Sequence, residues 1–163
     1  MPSSLPLLVL AEPGQPDGHT LLALARRQGV LLDAALATAG QGAPAAALPL
    51  ALPPGSTPSF ILLAHGQACL PALRAVQADP RCRAALLLSP DGDARLERPL
   101  PFPALVACHR PDARQPRLTL AASLAAAWQA RLYVLQGRDA LAELAPLLAA
   151  LARLAAQLPL GDC

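Results

Sequence analysis

The sequence predicts a three-layer α/β sandwich built on about five mostly parallel strands. Three observations carry that expectation. Short apolar runs such as Phe60 to Ala64 and Ala84 to Leu88 are continuous rather than alternating, as in strands covered on both faces. Segments with helical spacing separate most of these runs, and alternating strands and helices favour a parallel sheet. The chain has 163 residues, of which 54% are hydrophobic, enough for one domain with a sizeable core.

Leu5 to Ala11 is the first buried strand, followed by a turn-rich loop over Glu12 to Gly18. Leu21, Leu22, Leu24 and Ala25 give Thr20 to Gln28 a helical period, with Gly29 placed to cap it. Val30 to Ala39 reads as a continuation of that helix. Residues 40–58 are rich in Ala, Pro and Gly and read as irregular. Phe60 to Ala64 is the next strand. Gln67 to Gln77 follows as helix, with Pro71 tolerated in its first turn. Ala84 to Leu88 is a strand ending at Ser89-Pro90-Asp91-Gly92-Asp93. Ala104 to Cys108 is a strand ending at His109-Arg110-Pro111-Asp112. Leu118 to Trp128 is helical, with Trp128 as a core anchor, and Arg131 to Leu135 is a strand. Leu141 to Leu158 is a long helix in which Pro146 either makes a kink or marks the true start.

Composition narrows the function classes. All 13 basic residues are Arg, and the abundance of Ala, Leu and Pro points to a GC-rich bacterial genome. A net charge of +2, no basic block and few aromatics give no nucleic-acid footprint. No charged residue occurs between Asp33 and Arg74, but repeated Gly and Pro in that stretch exclude a membrane-spanning helix there. Cysteines 69, 82, 108 and 163 form no Cys-x-x-Cys pair and have no His at a ligand spacing. Reduced thiols, a cytoplasmic location, no bound metal and no cofactor are therefore expected. The N-terminus lacks a positive segment before its apolar run, so no signal peptide is expected.

The most informative stretch is Ser59 to Leu73, an apolar strand running through small residues directly into a helical pattern. That is the layout of a nucleophile elbow, with Ala64, His65, Gly66, Gln67 and Ala68 as its five residues. The nucleophile slot holds Gly66. Such turns strain a residue with a side chain by about 1–3 kcal/mol, and glycine accepts the conformation readily.

Together with Leu86-Leu87-Leu88-Ser89-Pro90-Asp91, Leu100-Pro101-Phe102-Pro103 and Ala126-Ala127-Trp128-Gln129, this stretch resembles a known family. The family is the small α/β-hydrolase-fold serine hydrolases of the retinoblastoma-binding protein nine type. The resemblance covers about half the chain, Ser59 to Gly137, with Gly18-His19 as a weaker echo. It implies a Ser at position 66, an acid at Asp112 and a His in the segment Leu135-Gln136-Gly137-Arg138-Asp139-Ala140. Only the acid is present, and no His occurs after His109. The resemblance therefore implies a degenerate hydrolase with a binding or scaffold role, since a triad acid has nothing to orient without its His.

Each candidate residue also has a plainer reading. Gly66 could be a tight strand-to-helix turn with no catalytic past. Cys69 lies inside a helix, where a thiol is usually inert, although it or Cys108 could join His109 and Asp112 in a non-standard catalytic set. His109 and Asp112 sit where α/β ligand sites form, but an exposed His beside a helix-capping Asp explains them as well. His65 is expected to pack beside the elbow, with Gln67 and Asp91 as further pocket candidates. Asp91 and Asp93 flank Gly92 as in a turn, without further cation-ligand spacing. In the last helix Leu141, Leu144, Leu148 and Leu151 form the sheet-covering stripe. Leu147, Leu154 and Leu158 widen it, offering an apolar face to a partner or a second copy of the chain.

Overall fold

The computed structural model describes residues 5–11, 15–28, 31–36, 59–110 and 117–158. They form one six-stranded, all-parallel sheet with helices on both faces, a three-layer α/β sandwich. In chain order the elements are β1 (Leu7–Ala11), α1 (Pro16–Gln28), β2 (Leu31–Leu36), β3 (Phe60–His65), α2 (Cys69–Val76), β4 (Cys82–Leu88), β5 (Ala104–His109), α3 (Arg117–Trp128), β6 (Arg131–Leu135) and α4 (Ala140–Gln157). The strand order is β2-β1-β3-β4-β5-β6.

The central strands are apolar on both faces because helices cover both. Every residue of β3 and β4 is buried. Side chains alternate between two cores. Phe60, Leu62 and Ala64 meet α2 and α3 on one face, while Ile61 and Leu63 meet α1 and α4 on the other. His65 continues the second series at the strand's end and so points toward α1.

Two expectations are corrected. Within Val30 to Ala39, the stretch expected to extend the helix, Leu31–Leu36 is an edge strand paired in parallel with β1, and the rest of that stretch lies outside the described residues. Leu and Ala are good helix formers, so nothing local signals a strand, and pairing with β1 overrides propensity. This adds the sixth strand. Gly18 and the two residues before it are also not loop: α1 begins at Pro16, one turn early, with Asp17 in its first turn. Proline at a helix start loses no internal hydrogen bond, and an acidic residue there faces the positive end of the helix dipole. The irregular segment 40–58 lies outside the described residues.

α4 buries Ala140, Leu144, Leu148, Leu151 and Ala155, a stripe at helical spacing against α1 and β4. Pro146 lies within the helix and is exposed, so it does not mark the start; Asp139 caps that end by accepting from the Ala142 amide at 3.1 Å. At the far end Arg83, from β4, donates to the Ala155 carbonyl at 3.4 Å and to the Leu158 carbonyl. By length and composition α4 could cross a membrane, and here it covers the sheet. Leu154 stays 49% exposed, so Leu154→Asp is expected to shift thermal stability by no more than about 0.5 kcal/mol. Cooperative unfolding well below wild type would instead place Leu154 in a buried contact.

Candidate functional site

In an open parallel sheet, ligands bind beyond the carboxyl ends of the strands, where the strand order reverses. Here the reversal lies between β1 and β3, because β2 follows β1 on one side and β3 pairs on the other. β3 ends at His65 in extended backbone. Gly66 then turns with φ at 58°, in the left-handed region, and a 3-10 turn over Gly66–Ala68 leads directly into α2. The Gly66 carbonyl accepts from the Cys69 amide and, at 3.1 Å, from the Asp91 amide. The elbow is thereby tied to the loop after β4. Gly66 thus occupies a strand–turn–helix corner of the kind its sequence suggests.

A depression of about 290 Å³ opens over this corner. One wall is the start of α1, with Gln15, Pro16 and Asp17. The floor is the end of β3, with His65, Gly66 and Gln67. Ser89, Pro90 and Asp91 close the third side, and Leu120 of α3 completes the rim. Four residues singled out by the sequence, His65, Gly66, Gln67 and Asp91, therefore meet here. Asp112 lies outside the described residues.

The chemistry of the site centres on Asp17. Its Oδ1 is 2.7 Å from His109 Nε2, and its Oδ2 is 3.5 Å from His65 Nε2. Helix α1 thus holds one carboxylate between two imidazoles that β3 and β5 supply from the same sheet face. Partial burial alone would raise the Asp17 carboxyl, but hydrogen bonds from His109 and His65 outweigh it and hold the group far below the usual range. The bond to Asp17 likewise raises His109, against some desolvation, with Glu143 adding attraction. His109 is therefore not a solitary exposed loop side chain. It ends β5 and has Asp17 as its acid.

His65 is 6% exposed, packed beside the elbow, and its Nδ1 is buried without a hydrogen-bond partner among the described residues. Nε2 faces Asp17, and Nδ1 on the other side of the ring is left without a partner in either protonation state, as acceptor or as donor. Such an orphan costs about 1–3 kcal/mol, and buried polar atoms without partners concentrate at functional sites.

The turn after β6, where the resemblance implies a His, is organised by a different group. Glu143, in the first turn of α4, accepts from the Gln136 amide at 2.9 Å and the Gly137 amide at 2.5 Å. Tyr133 donates to the same carboxylate at 3.4 Å. These backbone bonds lower the Glu143 carboxyl. A Cβ on Gly137 would stand 2.9 Å from Glu143 Oε1, so the turn fits glycine closely.

None of the described cysteines is placed as a nucleophile. Cys69 opens α2 fully buried, and burial pushes the thiols of Cys108 and, to about 12, Cys82 upward, against thiolate formation. Among the described residues no three His, Cys, Asp or Glu side chains are arranged to hold a metal ion. Sequence reasoning missed Asp17 and Ser89. Pro16-Asp17, a proline followed by an acid at a helix start, was the available signal for Asp17. Ser89 has φ at 47°, uncommon for a residue other than glycine, and no sequence pattern announces it.

Neither protein-family models, nor curated proteins, nor solved structures give a match to the chain.

Proposed function

We propose that the chain is a degenerate α/β-hydrolase-fold protein that binds a small molecule in the depression over Gly66 and does not hydrolyse it. One observation carries the reading. The strand–turn–helix corner presents a left-handed glycine where an elbow would present its attacking atom. Around it the imidazoles of His65 and His109 share an acid, but no nucleophile stands at the elbow. The unbridged thiols of Cys82 and Cys108 fit a reducing, cytoplasmic setting.

A second reading has its own observation. Ser89, at the end of β4, sits between the β3 and β5 ends that carry His65 and His109, and its positive φ is a strained geometry of the kind found at functional sites. A hydrolase with its nucleophile at Ser89 and its acid at Asp17 would use that arrangement. Turnover of short p-nitrophenyl esters separates the two. The binding reading expects purified protein to match a heat-denatured control. Turnover that survives repurification and is lost in Ser89→Ala would replace it with the second.

A further inference from the structure

We propose that the face of β5 and β6 beside α4 docks a helix of a partner protein, apolar along one side and acidic at the end that lies beside Arg131. α4 runs over β4 and not over the last two strands. Among the described residues no helix covers β5 and β6 on this face, whereas α3 covers them on the other. Burial follows. All of β4 is buried, but Leu105 of β5 and Tyr133 of β6, which pack on the α4 side, are only half-buried. α4 supplies the wall of this groove. Tyr133 meets Glu143, so the flank of α4 that carries Glu143 faces β6. Leu147 and Leu154 follow Glu143 at helical spacing on the same flank, half-buried and exposed respectively. A helix over β6 would lie two strand spacings, about 10 Å, from α4, the ordinary distance between packed helices.

Charge sets the partner's chemistry. Arg131 opens β6 as the neighbour of Leu105 on the groove floor, and Arg153 stands on the rim next to Leu154. Both lie at the strand-start end, because α4 descends to Arg83 at the start of β4. Both are exposed, and neither has an ion-pair partner among the described residues. At the other end two amides and Tyr133 already occupy the Glu143 carboxylate. The groove therefore offers apolar surface with unpaired positive charge at one end, which an amphipathic helix with an acidic end complements. A flat anionic membrane would meet the arginines but not the recessed floor. None of these residues lines the depression over Gly66, so docking and ligand binding are separable.

The test measures, by fluorescence anisotropy, the Kd of stapled Leu/Ala peptide helices of about 15 residues, roughly 22 Å long. One carries Glu at three positions near one end, and its counterparts carry Gln or Lys there. The Glu peptide is expected to bind about tenfold more tightly than the Gln peptide at low salt, the Lys peptide more weakly than either, with the differences shrinking as salt rises. Leu154→Asp is expected to weaken the Glu peptide at least roughly fivefold, with a melting temperature near that of wild type. Arg131→Glu is expected to reverse the preference toward the Lys peptide. Absent binding, equal binding of the three peptides, or binding that neither variant alters overturns the proposal. So does a dimer in sedimentation that Leu154→Asp makes monomeric, which assigns the face to a second copy. Binding to phosphatidylserine vesicles and to no peptide overturns it in favour of a membrane.

Discussion

Trp128→Ala is expected to cost about 3–5 kcal/mol, the range for emptying a large aromatic site in a core. At this chain length that lowers the melting temperature by roughly 10 °C. Trp128 ends α3 and is 1% exposed, within the core that α2 and α3 form against the sheet. Its indole Nε1 donates to Glu97 Oε2 at 3.2 Å, and Glu97 Oε1 takes Arg74 at 2.8 Å. The Glu97 side chain is only 6% exposed, so removing the indole also strips a donor from a nearly buried carboxylate. Trp128→Phe keeps most of the volume and loses the N–H, and should cost about 1–2 kcal/mol. Chemical denaturation of the two variants measures both; equal losses would mean that packing contributes nothing beyond the hydrogen bond.

Asp17→Ala is expected to destabilise the protein by about 1–2 kcal/mol near pH 5.5, discounted because the His109 side chain is 46% exposed. The sign of its pH dependence follows from the two shifts. The Asp17 carboxyl is lowered from 3.8, so its contribution is present above that value and is lost as pH falls through the lower folded value. His109 is raised from 6.5, so its contribution is complete below 6.5 and is lost as pH rises through the higher folded value. The difference between wild type and Asp17→Ala should therefore be greatest between about pH 4 and 6.5 and shrink on both sides. Denaturation midpoints across that range check it. A difference that does not vary with pH would mean that Asp17 acts as a helix cap and not as the acid of two imidazoles.

The parts of this fold that were legible in the sequence are those where one local signal suffices. The continuous apolar runs of β3 and β4 announce strands buried on both faces, and the Leu stripe of α4 announces a helix with one buried side. β2 was not legible, because six residues of Leu, Ala and Asp carry no strand preference and only the β1 edge makes them a strand. The site divides in the same way. Gly66 could be read from its neighbours, since a strand, small residues and a helical pattern are adjacent in the chain. The pairing of Asp17 with His109 could not, because 92 positions separate them and the sheet alone brings them together. Sequence proximity offered His109 only Asp112, which lies outside the described residues. The strain at Ser89 is a property of backbone torsion and leaves no mark in residue type.

The proposal that Gly66 stands where a nucleophile was lost is tested most directly by the intact mass of the protein after exposure to a fluorophosphonate, which adds covalently to an activated serine. The account predicts an unchanged mass, equal to that of protein denatured before exposure. A single adduct, formed only on the folded chain and mapped to Ser89, would contradict it and show that nucleophilic chemistry persists beside the vacant elbow.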